Sequence, residues 1–96
     1  MLKVIAKRGL LPGAYEEYAA LVKPLVDETR AEPGCIDYAL YYDAAENTAV
    51  MIETWESQAH LEVHLQKLTA SGYLEKMNAY SDPARPSVIE KYAYVY

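Results

Sequence analysis

Hydrophobic and polar positions alternate at the start of the chain. Leu2, Val4 and Ala6 fall on one side, Lys3, Ile5 and Lys7 on the other. That period of two predicts a strand over Leu2–Arg8. Leu11-Pro12-Gly13 punctuates it. The period then changes: Tyr18, Leu21, Val22 and Leu25 stand at i, i+3, i+4 and i+7, an amphipathic helix over Ala14–Arg30. Glu16 and Glu17 suit its first turn and Arg30 its last, as the helix dipole prefers. Pro24 removes one backbone hydrogen bond, so a kink is expected near Ala20.

Ala31-Glu32-Pro33-Gly34 stops the helix, and Gly34 is expected to supply a positive φ in that turn. A strand over Cys35–Asp43 follows, with Ile36, Tyr38, Leu40 and Tyr42 on one face. Ala44-Ala45-Glu46-Asn47 joins it to Thr48–Glu56, where Val50, Ile52 and Thr54 oppose Met51, Glu53 and Trp55. Ser57 is placed to cap a helix running to Lys67 or Leu68, with Leu61, His64, Leu65 and Leu68 as its apolar stripe. Ser71-Gly72 breaks it before a short helix over Tyr73–Tyr80. A loop over Ser81–Ser87 leads to a last strand, Val88–Tyr96, with Glu90, Tyr92, Tyr94 and Tyr96 on one face.

The predicted order β-α-β-β-α-(α)-β is the split βαβ, ferredoxin-like arrangement of an α+β fold, here as one domain over residues 1–96. Helices cover one sheet face. The other is not polar: Ile36, Tyr38, Leu40, Val50, Ile52, Ile89 and Val95 are candidates for it, and parity alone does not assign them. A sheet apolar on both faces in so short a chain calls for a partner, and a two-fold homodimer with facing sheets is expected.

Composition narrows the classes. Hydrophobic residues make up 52% and charged residues 24%, against the profile of a disordered chain. A single Cys rules out a disulfide scaffold. No stretch approaches a membrane span and no signal peptide is evident, so a soluble cytoplasmic protein is expected. The net charge of −5, with basic residues scattered, argues against nucleic acid. Ten Tyr, one Trp and no Phe are unusual. Apolar walls with polar tips suit a small-molecule pocket, although Tyr is also a good strand former.

Three stretches carry a resemblance: Glu32-Pro33-Gly34-Cys35-Ile36-Asp37-Tyr38, Ile52-Glu53-Thr54-Trp55-Glu56-Ser57, and Ala59-His60-Leu61 with His64-Leu65. Together they resemble the antibiotic biosynthesis monooxygenase family, including its quinol monooxygenase-like members. The resemblance implies a dimeric α+β barrel. For some members it implies oxygenation of quinols or aromatic polyketides with no metal or organic cofactor. Haem-degrading relatives use an Asn on the first strand and a His on the last helix beside the Trp. Here those regions read Ala6-Lys7-Arg8 and Lys76-Met77-Asn78, so only Trp55 matches. Quinol-type relatives often carry a second His shortly after the first, and Leu65–Tyr73 has none.

A cofactor-free oxygenase must deprotonate an electron-rich phenol, whose anion then meets O2. Imidazole is a suitable base at neutral pH. His60 and His64 lie at i, i+4 on one helix face. His64 falls on the apolar stripe and matches the histidine the resemblance implies, so it is the candidate base; its plainer role is that of a core histidine. Glu53 is a second candidate base if burial raises its pKa. Trp55, Met51, His60 and Tyr73 are candidate substrate contacts, each also explicable as packing. His60-Leu61-Glu62-Val63-His64 has the wrong spacing for the metalloprotease motif, and only Glu53 or Glu56 offers a third ligand, so no metal is expected. Cys35 has no activating neighbour and reads as a small core residue.

The expected function is cofactor-independent monooxygenation of a small quinol or polyphenol with O2. Two alternatives use the same pocket: an oxygen-independent isomerase on a small oxygenated metabolite, and a non-catalytic ligand-binding or stress-response module.

Overall fold

The alternating start of the chain forms the hub of the sheet. In the computed structural model, which describes residues 1–96, the element order is β1 (Leu2–Gly9), α1 (Tyr15–Arg30), β2 (Cys35–Asp43), β3 (Thr48–Trp55), α2 (Gln58–Ala70), α3 (Tyr73–Asn78) and β4 (Val88–Ala93). The four strands pair antiparallel in the order β2-β3-β1-β4. β3 therefore lies between β1 and β2, which is the split βαβ, ferredoxin-like α+β fold.

Register settles the parity that the pattern left open. Directly paired residues point to the same side. Rows across the sheet run Tyr38–Glu53–Val4–Lys91 and Leu40–Met51–Ala6–Ile89 on one face. The rows Asp37–Thr54–Lys3–Tyr92, Ala39–Ile52–Ile5–Glu90 and Tyr41–Val50–Lys7–Val88 lie on the other. Val4, Tyr38, Ala49, Met51 and Trp55 are buried, so the first set faces the helices. Tyr38, Leu40 and Ile89 thus belong to the helix-covered face and Val50 and Ile52 to the open one. Ile36 does not share a face with Tyr38. A bulge between Cys35 and Asp37 inserts an extra residue and leaves Ile36 half exposed.

α1 buries Tyr18, Ala19, Val22, Leu25, Val26 and Thr29 and runs unbroken through Pro24. Leu21 is only half-buried, the neighbouring stripe carrying the contact instead. α2 starts at the Ser57 cap, whose hydroxyl accepts from the His60 backbone N–H, and buries Leu61, His64 and Leu68. It extends two residues past the expected end, to Ala70, and leaves Leu65 partly exposed. α3 ends at Asn78 rather than Tyr80, and β4 ends at Ala93, so Tyr94–Tyr96 lie beyond the sheet. No helix is long and apolar enough to cross a membrane.

The Ser81–Ser87 loop is anchored by Arg85. Its guanidinium donates to the carbonyl oxygens of Glu46 (2.6 Å), Leu10 (2.8 Å) and Asn47 (3.2 Å). Charge-assisted bonds of this kind satisfy loop carbonyls that water would otherwise take. Gly34 has φ +79°, and a Cβ there would run into the His60 ring. The turn therefore requires glycine for two reasons, its backbone angle and the close approach of α2.

Candidate active site

A cavity of about 170 Å³ lies between the helix-covered sheet face and α1, α2 and α3. Its walls are mostly apolar: Val4, Ala6, Leu40, Met51 and Leu61 are among them. Into this apolar space the fold aims His64 from α2, Glu53 from β3 and Tyr38 from β2. Each arrives by simple geometry. Glu53 and Tyr38 are cross-strand partners on the covered face. His64 lies one turn past Leu61 on the buried stripe of α2, where 3.6-residue periodicity brings it down onto the sheet.

His64 is held on three sides. Its ring is 4.9 Å from the Trp55 ring and 5.3 Å from the Tyr38 ring, centroid to centroid. Its Nδ1 lies 3.1 Å from Oε1 of Glu32, in the loop after α1. A carboxylate accepts and does not donate, so the proton between them belongs on Nδ1, leaving Nε2 as a proton acceptor. Burial lowers the His64 pKa, against the pull of the adjacent Glu32. The imidazole is therefore neutral at neutral pH.

Glu53 behaves oppositely. It is 6% exposed, and burial pushes its pKa up to about 7, helped by the charge of Glu32 and opposed by a hydrogen bond. That bond comes from Trp55 Nε1–H to Oε1 at 2.9 Å. Tyr38 is 2% exposed, and burial, with Glu53 beside it, raises the pKa of its hydroxyl, which stays protonated. The site therefore combines a neutral imidazole, a carboxyl that exchanges its proton near neutral pH and a phenol donor. A phenolic ligand entering it meets groups able to take a proton from one hydroxyl and hydrogen-bond another.

Of the residues singled out in the sequence, His64, Glu53 and Met51 line the cavity. Trp55 is fully buried behind His64 and touches the site by orienting Glu53 and backing the imidazole. His60 stands outside. Its Nδ1 is 2.7 Å from Ser57 Oγ, its Nε2 3.9 Å from Glu56, and its ring lies over Gly34. Tyr73 packs against the edge of the core beyond the cavity, with the Lys76 ammonium 5.9 Å from its ring. No three His, Cys, Asp or Glu side chains come together as a metal-binding group. Cys35 packs against the core, and burial raises its pKa.

Sequence reasoning missed two members of the site. Tyr38 was legible as a strand residue, but its face was not. Glu32 lies 32 residues from His64 along the chain, and no spacing rule links them.

Comparison with known proteins adds the family context. Residues 1–76 match a family model described as Antibiotic biosynthesis monooxygenase. The chain is similar to "Probable quinol monooxygenase YgiN" of Escherichia coli (strain K12), with 37% identity over 101 residues, covering 94% of this chain and 90% of that protein. It is also similar to the protein sll1783 of Synechocystis sp., with 36% identity over 66 residues; that match covers 68% of this chain but only 45% of the longer protein. A crystal structure of an antibiotic biosynthesis monooxygenase superposes with a TM-score of 0.87 at 30% identity, covering 99% of both chains.

Proposed function

The chain belongs to the antibiotic biosynthesis monooxygenase family, and from that premise we propose that it oxygenates a small quinol or polyphenol with O2, without a metal or organic cofactor. The observation that carries this reading is the pairing of His64 and Glu53 in an apolar cavity, both in proton-accepting forms just above neutral pH.

The roles follow from the geometry. One quinol hydroxyl sits against Nε2 of His64 or the carboxylate of Glu53 and loses its proton there. The resulting anion reduces O2, and the two combine at a ring carbon as a hydroperoxide. Loss of water then leaves a hydroxyquinone, so quinol plus O2 gives hydroxyquinone plus water. Tyr38 donates its hydroxyl to the second oxygen of the ring. Glu32 holds the His64 tautomer, and Trp55 keeps imidazole and carboxyl apart and aligned. An apolar wall keeps bulk water from the reactive anion.

A two-fold dimer completes the reading. The open sheet face carries Ile5, Ala39, Val50 and Ile52 in adjoining rows, flanked by half-exposed Tyr41, Val88 and Tyr92. Beyond β4, Tyr94 donates its N–H to the Met1 carbonyl at 3.0 Å and is followed by the exposed Val95 and Tyr96. A second copy covers that surface by packing sheet to sheet. Light scattering at micromolar concentration tests it, and a monomer would refute it.

The chemistry is tested by oxygen consumption with menadiol-like quinols and catechols, using His64→Ala protein to set the background of autoxidation. Uptake above that background supports the oxygenase. Equal uptake by both proteins across the panel overturns it.

A further inference from the structure

The cavity has a second polar end that the proposed chemistry does not use. The chain carries a net charge of −5, with 14 acidic residues, yet Glu53 is the one carboxyl lining the cavity. Two cationic side chains, Arg8 and Lys91, border the same space. A third lining residue, Lys7, belongs to the open face and turns its ammonium to Glu90 there, at 3.5 Å. An acidic protein thus presents a cavity bordered by two cationic side chains and a single carboxyl.

The two cations differ. Lys91 shares a cross-strand row with Val4 and Glu53 and is exposed on the edge strand. Arg8 stands four residues further along β1, half-buried, roughly 13 Å from the Glu53 row at about 3.3 Å per residue. Its guanidinium lies 5.9 Å from the centre of the Tyr18 ring. Its Nη1 donates to Asn78 Oδ1 at 2.7 Å and to Ser81 Oγ at 2.6 Å, both neutral acceptors. Arg8 takes part in none of the ion pairs of the chain. A partly desolvated guanidinium, oriented by neutral groups and a tyrosine ring but lacking a counter-ion, is built to receive a carboxylate.

We infer that the natural substrate is an acidic phenol: its reacting ring lies against His64, Glu53 and Tyr38, and a carboxylate arm reaches along the cavity to Arg8. This rests on the reading of the site as the place of phenol oxidation and adds the class of substrate. The separation of the two ends sets the arm at several bonds from the ring. A carboxylate directly on the ring leaves Arg8 out of reach.

The test separates binding from turnover. Isothermal calorimetry measures Kd for menadione bearing a propanoic acid chain and for the same ring bearing the uncharged propanamide. The acid is expected to bind roughly tenfold tighter, the scale of one charge-assisted hydrogen bond. The preference should shrink as salt rises, fall to about one in Arg8→Gln and persist in Arg8→Lys. Equal Kd values in the unmodified protein overturn the proposal. So does a preference that survives Arg8→Gln, or one that disappears in Lys91→Gln instead. Should Arg8→Gln fail to fold, the acid-to-amide ratio, its salt dependence and Lys91→Gln still decide. Oxygen uptake is scored separately. Acid preference without uptake refutes only the oxygenase reading, and uptake without acid preference refutes only this one.

Discussion

The two faces of the sheet are made by the same four strands, one residue out of step, and they do opposite things with their charges. On the covered face, Glu53 has a single hydrogen-bond donor, Trp55, and its burial moves its proton affinity to neutral pH. On the open face, Glu90 is met by the Lys7 ammonium at 3.5 Å and the Tyr92 hydroxyl at 2.8 Å, all reached by water in the single chain. A carboxyl shut under helices and away from water keeps its proton to a higher pH than one in solvent. The difference is made by desolvation, not by residue type.

Trp55→Ala should break the covered face most severely. It empties the space behind His64 and frees the Glu53 carboxyl, and about 3–5 kcal/mol of unfolding free energy is the expected loss, read from urea titration. A loss comparable to that of Tyr92→Ala on the open face would mean that the covered face is not the rigid one.

Next comes pH. Folded Glu53 holds its proton up to about pH 7, against 4.5 for the free side chain. The folded state therefore binds more protons across this interval, and stability must fall as pH rises through it. The contribution is intact below the lower value and gone above the upper one. Its size is about 3 kcal/mol, from ~1.4 kcal/mol per pKa unit. Glu53→Gln should remove that slope, so the stability gap between variant and parent should widen in the variant's favour from roughly pH 4 to pH 8. Denaturation curves with parallel pH profiles would place Glu53 in water. Turnover, measured as oxygen uptake against pH, is expected to run the other way and rise through about pH 7 as the carboxyl ionises; a rate that is flat across this range would remove Glu53 from the reaction.

His64→Ala should lower kcat for oxygen uptake by about 10²-fold or more, equivalent to ~2.7 kcal/mol in barrier height. His60→Ala, four residues earlier on the same helix but outside the cavity, should leave it within about threefold by the same conversion. Equal losses in the two variants would erase the distinction between them.

Gly34→Ala forces a side chain into φ +79° and against the His60 ring, with an expected cost of at least about 1 kcal/mol. Thermal unfolding reads it, and an unchanged midpoint would show that α2 can shift.

Much of this is legible in the sequence. Ser57 reads as an N-cap from its position before an apolar stripe, and it caps α2. His64 falls on that stripe, and it is buried. The misplaced Ile36 shows where periodicity stops working. A bulge adds one residue, every position before it changes face, and no alternation of residue types reveals the shift. Leu65 and Leu21 show a second limit: a stripe is wider than the contact the sheet offers, so its margin stays partly wet. The strand reading of Tyr94–Tyr96 shows a third, since β-forming residues need a neighbouring strand to pair with, and beyond the start of β1 at Leu2 only the Tyr94 N–H still bonds, to the Met1 carbonyl.

The chain by itself determined the order of its elements, the location of its turns, the place of His64 on the apolar stripe of its helix and the fact that Glu53 shares a strand face with Met51 and Trp55, but not which face the helices cover. Those properties are local, set by periods of 2 and 3.6 and by residues such as Pro33, Gly34 and Ser57. Only the tertiary structure decided that Glu32 meets His64, that Tyr38 stands beside Glu53, and that Arg8 closes the far end of the same cavity. Each of these pairings joins residues far apart in the chain, and burial, not sequence neighbourhood, sets the proton affinities that make them chemically different from the same residues in water.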